Sequence, residues 1–398
     1  MTGTGESMGP FGVGAARAWG PRVAIVHDYL AQRGGAERVA LELTRAFPDA
    51  VVYTTVYDPR STFDEFRSVD VRDVAWIRRV PWFRNDVRRA FPLLPLAVRS
   101  LGEIDADVVL CSSSGWSQGV STTGRKLVYC HNPPRWLYQP DAYFAALPRP
   151  VRRLVSAALL PWRMWDGTRA RSADVYIANS ANVASRIARV YGRAADVVHP
   201  PRGLDAYGLR ENVDGVPKDF YLTISRRRGY KRAHEIVRAF EGSDRYLVQV
   251  GGEPVEGENV TRLSGLTDAQ LRWLYANARA LIAIGDEDFG LTPVEAYAFG
   301  TPAIVLAAGG YLETAAPVAT VQVNSTSPTA LAAAMDELES RTWDADVIRA
   351  HGEKWSPALF HRAMQARVRE LADRGGLTEK KGDGRAGRVT NRVSTSGH

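Results

Sequence analysis

The chain has 398 residues, 45% of them hydrophobic and 24% charged, with a formal net charge of +7 and a mean hydropathy of -0.23. This balance excludes a collagen-like or wholly disordered chain, and the length predicts two domains, each large enough to bury its own core. The two cysteines, Cys111 and Cys130, lie far apart with no C-x-x-C, which excludes a disulfide framework or a thiolate zinc site and predicts a reducing cytoplasm.

Residues 1–20 are rich in Gly and Ala and lack the apolar core of a signal peptide, so they read as a disordered lead-in. The longest apolar stretch, Leu154–Trp162, is too short to cross a bilayer. The expected location is the cytoplasm, with the inner face of the cell membrane as the alternative.

Short β-branched runs then alternate with amphipathic segments. Strands are predicted over Arg22–His27, Val51–Thr55, Val108–Ser112, Leu127–Cys130 and Val175–Asn179, and in a second series over Tyr221–Ser225, Tyr246–Val250, Ala280–Ile284 and Ala303–Ala307. Helical patterns lie between them, as in Gly35–Phe47, His234–Glu241 and Asp268–Ala278. Strands separated by helices imply parallel sheets built from βαβ units. The Pro-, Gly- and charge-rich stretch 197–220 reads as the linker between two doubly wound sheets that face each other across a cleft. Ligands of such sheets bind beyond the carboxyl ends of the strands.

In chain order, the first candidate loop is Arg33-Gly34-Gly35-Ala36-Glu37-Arg38, after His27-Asp28-Tyr29. Two glycines before a helix permit close backbone approach to an anion. The pattern is not G-x-G-x-x-G, which disfavours a dinucleotide site. Residues 76–99 interleave Arg with Trp, Phe and Leu. They suit an anionic membrane or a lipid-linked acceptor, or else a helix pair with solvated Arg and inward aromatics. No nucleic-acid motif accompanies the charge, so no nucleic-acid partner is expected. His131, in Tyr129-Cys-His-Asn-Pro-Pro134, ends another strand and would line the cleft; the other six histidines show no metal spacing. The second series opens with Ser225-Arg-Arg-Arg-Gly-Tyr-Lys-Arg232, a cationic strand-end loop suited to a diphosphate.

The richest stretch is Gly285-Asp-Glu-Asp-Phe-Gly-Leu-Thr-Pro-Val-Glu295, directly after the apolar run Ala280–Ile284. One reading is structural: a helix starting near Pro293, with Thr292 and Glu295 forming a capping box and Gly300 ending the helix. The other is functional: amides from Gly290 onward point into the cleft while Glu287 and Glu295 each accept bidentate hydrogen bonds from a vicinal diol. Three D-x-D triplets, at Asp105, Asp286 and Asp344, raise the question of a diphosphate-bound metal. The first precedes a strand and the third lies in a C-terminal helical stretch, so neither suits a metal-dependent layout; Arg226 and Lys231 can offset the charge of a leaving diphosphate, so no metal and no other cofactor is expected.

Glu287-Asp-Phe-Gly-Leu-Thr-Pro-Val-Glu295 resembles the E-x7-E signature of the retaining glycosyltransferases of family 4, which have the two-domain GT-B fold of paired Rossmann-like sheets. The resemblance covers most of residues 22–372. It implies that Glu287 contacts the donor-sugar hydroxyls and Glu295 the ribose, with the backbone of Phe289, Gly290, Leu291 and Thr292 beside the sugar and diphosphate. It also implies that Arg226 and Lys231 bind the pyrophosphate, that Gly34 and Gly35, with Asp28, form a loop near donor phosphate and acceptor, and that His131 touches the sugar near the reaction centre. Arg226, Lys231, Glu287 and His131 are the expected catalytic set. The order H-D-Y-L, G-G-A-E, Y-C-H-N-P, S-R-x4-K-R is most similar to the mannosyltransferase-type branch acting on lipid-linked saccharides.

The expected function is transfer of a hexose, first mannose from GDP-mannose, to a saccharide or lipid-linked hydroxyl with retention and without metal. A GT-B-fold epimerase of nucleotide sugars and a non-catalytic nucleotide-sugar or polyanion binder are the alternatives. The expected segments are an acceptor domain over 21–200, a donor domain over 201–355, a helix over 356–373 crossing back to the first domain, and a disordered basic tail over 374–398.

Overall fold

The structure, a computed structural model, describes residues 20–382 except 75, 78–79, 81–92, 146, 226–231 and 253–254. Seven parallel strands form the first sheet: β1 (Val23–His27), β2 (Val51–Thr54), β3 (Val71–Asp73), β4 (Val108–Ser113), β5 (Arg125–Cys130), β6 (Val175–Ala178) and β7 (Asp196–Val197). Their spatial order is β3-β2-β1-β4-β5-β6-β7. Six more form the second sheet: β8 (Tyr221–Ser225), β9 (Leu247–Gly251), β10 (Val260–Leu263), β11 (Ala280–Ala283), β12 (Ala303–Leu306) and β13 (Thr320–Val323). They run in the order β10-β9-β8-β11-β12-β13. Residues 103–104 and 121–122 add a small two-stranded sheet.

In each sheet the chain winds outward from a central strand, returns beside it and winds the other way. The reversal falls between β1 and β4 in the first sheet and between β8 and β11 in the second. At such a switch point neighbouring connections leave for opposite faces and open a crevice. The central strands read as unbroken apolar runs because helices cover both faces. All six residues of β4 and all four of β11 are buried.

The helices that frame the site are α1 (Gly35–Ala46), α2 (Arg149–Ala158), α3 (Leu160–Ala170), α4 (Ala181–Tyr191), α5 (Asp268–Asn277), α6 (Leu291–Ala298) and α7 (Pro357–Gly382). α7 follows the second sheet in sequence but packs on the first. Its Phe360, Met364, Val368 and Leu371 join the core of Ile25, Leu41, Leu110 and Tyr129. Those four side chains recur at i, i+4, i+8 and i+11, one face of a helix. Burying each stabilises by about 1.5–3 kcal/mol. The helix also runs on to Gly382, past Asp373 where the sequence predicts its end and a disordered tail begins. Once one face is docked, extension adds a backbone hydrogen bond per residue without a new nucleus.

The stretch 197–220, read from sequence as a linker, contributes to the packing. Leu204, Ala206, Val213 and Phe220 belong to the second core.

Candidate functional site

A cleft of about 1100 Å³ separates the two sheets at their carboxyl ends. Its walls bring together Gly34, Gly35, His131, Glu287, Phe289, Gly290, Leu291, Thr292 and Glu295, nine of the residues singled out in the sequence. Arg226 and Lys231 lie outside the described residues. Ile224 and Ser225, the last residues of β8 before them, line the same cleft.

The acidic turn leaves β11 and enters α6 through Gly290, whose φ is +88°. A Cβ there would lie 2.4 Å from Tyr311 Cε1, so only glycine fits. This left-handed residue starts the helix at Leu291, two residues before the position that Pro293 suggests. Pro293 is tolerated because first-turn amides have no intrahelical acceptor. The capping-box reading therefore fails: Gly290 is the N-cap, and no side-chain cap is made. Glu295 instead sits a turn into the helix, where its Oε2 accepts a 2.7 Å hydrogen bond from the Tyr275 hydroxyl on α5. Gly300, with φ +81°, follows the helix as expected.

Phe289 lines the cleft and also belongs to the second core. The ring stacks on His199 at 5.2 Å and meets Trp355 edge-on at 6.5 Å. Asp288 points across to the first unit, pairing with Arg135 at 2.8 Å and with Arg186. Its carbonyl accepts from Ser180 Oγ at 2.8 Å. Nearby, Glu313 accepts from the Ala181 and Asn182 amides at the start of α4, at 2.8 and 3.1 Å, and pairs with His199 at 2.9 Å. The other D-x-D triplets are likewise occupied: Asp105 and Asp107 bind Arg22, and Asp344 caps the helix after it.

On the facing wall, α1 opens at Gly34 and directs its first amides at the cleft. Two helix N-termini, of α1 and α6, thus converge on one space, an arrangement that favours anionic groups. His131 directly follows β5 and is 9% exposed. Its Nε2 lies 2.8 Å from Ser112 Oγ, and its carbonyl accepts from Asn179 Nδ2 at 3.0 Å. Burial, helped by nearby His27, lowers its pKa to about 3, so it works as a neutral imidazole.

Asp28 does not line the cleft. It is buried and accepts from the amides of Ser114, Trp116 and Ser117 at 2.6, 2.9 and 2.7 Å. Its carboxylate ties the turn after β4 to the end of β1, and Ser114 of that turn faces the cleft. Asp28 is a positioning residue. Of residues 76–99, most lie outside the described set. Within it, Ile77, Leu94, Ala97 and Val98 turn inward, while Leu96 is exposed.

Sequence reasoning missed Arg38, Arg135, Asn179 and Tyr275 of the cleft wall. Arg38 stacks over Phe63 at 4.1 Å and reaches Asp268 of α5 at 3.5 Å. A Cβ on Gly203 would lie 2.9 Å from both Arg38 Cγ and Glu295 Oε1, so a chain without side chain passes between them. Asn179 and Arg135 follow strand ends, a signal that applied to His131 would have found them.

Residues 33–206 match the family described as Glycosyltransferase Family 4, and residues 210–355 match that described as Glycosyl transferases group 1. The chain is 27% identical to the mouse (Mus musculus) alpha-1,3/1,6-mannosyltransferase ALG2, over 75% of this chain and 82% of that protein. The human (Homo sapiens) ALG2 is 26% identical over 74% and 81%. Among solved structures, Anabaena HepE in complex with UDP-glucose superposes with a TM-score of 0.62 at 15% identity, over 88% of this chain and all of that one. Sucrose-phosphate synthase from Thermosynechococcus elongatus gives 0.60 at 17%, over 90% and 98%. At those identities the likeness concerns the fold, which is GT-B. With two family matches spanning both sheets and an E-x7-E turn on a cleft between them, the chain belongs to glycosyltransferase family 4 and is a glycosyltransferase.

Proposed function

We propose that this chain transfers a hexose, in the first instance mannose from GDP-mannose, to a saccharide or lipid-linked hydroxyl, with retention of anomeric configuration and without a metal. The observation that carries the reading is the placement of Glu287 and Glu295 on one wall of the cleft opposite His131 and the start of α1. The mannosyltransferase activity named for the ALG2 relatives supports the choice of sugar.

In this reading Glu287 holds sugar hydroxyls and Glu295 the ribose diol, each carboxylate accepting from two donors. Arg226, Lys231 and the amides at the start of α6 neutralise the charge that grows on the departing diphosphate, where it speeds reaction selectively. The acceptor oxygen forms its bond to the anomeric carbon on the face that the diphosphate leaves. The bond from that carbon to the diphosphate breaks, and the hydroxyl proton passes to the leaving phosphate oxygen. In this reading Arg226 and Lys231 take the part that a metal would play on the diphosphate, and Asp288 is engaged by two arginines.

A peripheral contact with an anionic membrane fits the same acceptor. Among the described residues no helix is long and apolar enough to cross a membrane. α2, however, carries Val151, Leu154, Val155 and Ala158 on one stripe, and Leu154 is 72% exposed. Leu160 and Met164 extend the apolar surface onto α3. Arg149 and Arg153 flank it, and no acidic residue occurs between Asp141 and Asp166. By contrast α4 buries its Val183 and Ile187 completely. Apolar side chains ringed by arginine suit an interface with anionic lipid.

The test is calorimetric titration with GDP-mannose, GDP, UDP-glucose and UDP, with and without EDTA, followed by transfer assays with product anomers assigned by NMR. Micromolar, chelator-insensitive binding of one base, weakened by Glu295→Ala, is the expected result. Binding that requires metal, or none, overturns the donor reading. Cosedimentation with phosphatidylglycerol vesicles, lost on Leu154→Ser with Met164→Ser, tests the membrane contact.

A further inference from the structure

Four buried polar side chains form a line from α1 to the cleft. Glu37 Oε1 lies 4.0 Å from His27 Nε2, His27 Nδ1 lies 3.0 Å from Ser112 Oγ, and Ser112 Oγ lies 2.8 Å from His131 Nε2. His27 and Glu37 are each 2% exposed, and Ser112 is fully enclosed. Glu37 is anchored from the other side by Gln32 Nε2, which donates to Oε1 at 2.9 Å.

A hydroxyl has one proton, so Ser112 donates to one imidazole and accepts from the other. With both histidines neutral the line has only two self-consistent directions. In one, His27 Nδ1–H donates to Ser112, Ser112 donates to His131 Nε2, and the His131 proton sits on Nδ1. In the other every bond is reversed, and His131 Nδ1 carries a lone pair. The carboxylate at the far end breaks the tie. A negative charge beside His27 Nε2 favours the N–H on that atom, which leaves His27 Nδ1 bare. Ser112 must then donate to His27 Nδ1 and accept from His131 Nε2–H. Among the described residues no protein group hydrogen-bonds His131 Nδ1, and His131 lines the cleft.

We propose that Glu37, acting through His27 and Ser112, fixes His131 in the Nε2–H tautomer, so that Nδ1 stands at the cleft as a hydrogen-bond acceptor for a substrate hydroxyl. The hydroxyl part of this inference rests on the sugar-transfer reading; the tautomer part does not. Glu37 is a positioning residue: it touches no substrate and acts two side chains away. The low pKa of His131 agrees, since a group read as an acceptor must stay unprotonated. The second imidazole and the Glu of Gly34-Gly35-Ala36-Glu37 thereby gain a role that glycine-loop anion binding leaves unexplained.

The experiment is 15N NMR of the full-length, ligand-free protein labelled on its histidines at pH 8, with His131 assigned from the His131→Gln spectrum. A bare ring nitrogen resonates far downfield of an N–H nitrogen, so the tautomer is read directly. The wild type is expected to show a bare Nδ1 and a protonated Nε2 on His131. In Glu37→Gln the charge is gone and the amide can donate to His27 Nε2, so the line reverses and the two His131 signals exchange places. Ser112→Ala cuts the line and is expected to give averaged shifts, which keeps the test decisive if Glu37→Gln does not fold. A wild-type His131 protonated on Nδ1, a cationic His27 at this pH, or a tautomer that neither substitution moves overturns the proposal. A donor titration and turnover assay follow: Glu37→Gln is expected to keep donor affinity and lose about tenfold in kcat. If the tautomer switches but no nucleotide sugar binds the wild type, the relay stands and the sugar-transfer reading falls.

Discussion

The Tyr275 hydroxyl and Glu295 Oε2 are joined by a 2.7 Å hydrogen bond between α5 and α6. Burial, with the adjacent carboxylate, pushes the Tyr275 hydroxyl well above its ordinary pKa, so it is a permanent donor. Glu295 is thus held in place by a donor from the neighbouring helix. Tyr275→Phe is expected to leave the fold intact and weaken donor binding about tenfold, since a hydrogen bond to a charged group contributes roughly 1.5–3 kcal/mol. Calorimetric titration of the variant against the wild type reads this. Unchanged affinity would mean that Glu295 is oriented by its helix alone.

Asp288 sits between Arg135 and Arg186. Asp288→Ala leaves two arginines facing each other without their shared anion. The groups are half-buried, so the cost lies between those of surface and buried pairs, about 1–3 kcal/mol. Urea denaturation is expected to show a lowered midpoint. A midpoint within error of the wild type would show that solvent replaces the pairing.

The docking of α7 rests on four apolar side chains, of which Met364 is fully buried. Met364→Ala is expected to destabilise by about 2–5 kcal/mol through lost burial and the cavity left behind. Hydrogen exchange should accelerate in β4 and β5 as well as in α7, because those strands share that core. Acceleration confined to α7 would show that the helix detaches without disturbing the sheet.

Acid should weaken the fold partly through His131. Its folded pKa, about 3, lies below the ordinary histidine value near 6.5. The unfolded chain therefore binds a proton in that window that the folded chain refuses. The stability contribution is complete above about pH 6.5 and falls at up to about 1.4 kcal/mol per pH unit toward pH 3. His131→Gln removes this term, so thermal denaturation between pH 7.5 and 4.5 should show a shallower decline than in the wild type. Parallel declines would assign acid sensitivity elsewhere.

The central strands were legible because sheets covered on both faces need near-continuous apolar runs, as in Val23–Val26 and Ala280–Ala283. The edge strands β3, β7, β10 and β13 were not. Each is short or mixes polar residues into the run, as in Val71-Arg-Asp73 and Val260-Thr-Arg-Leu263, and an edge needs no apolar continuity. The acidic turn was recognised from its residue types, yet its helix begins two residues early. A glycine at φ +88° sets that start, and local pattern does not distinguish it from an ordinary turn glycine. Arg38 and Tyr275 face the cleft only because remote elements meet there, a fact of tertiary packing that no local window contains. Asp28 carried the opposite error: the resemblance placed it in the loop near donor phosphate and acceptor, but three backbone amides hold its carboxylate in the turn after β4.

The route of α7 has a consequence for biosynthesis. The first sheet is complete in sequence at Val197, but part of its core, Phe360, Met364, Val368 and Leu371, is encoded after the whole second sheet. On the ribosome the amino-terminal half must therefore wait, with an apolar face open, while the carboxyl-terminal half is made. Domains usually fold in order of emergence. Here the later half can finish first, and α7, which leaves the exit tunnel after the second sheet, closes the earlier one. Truncations just before Pro357 should be more prone to aggregation than the loss of one helix suggests, and the exposed face is a natural target for chaperones during translation.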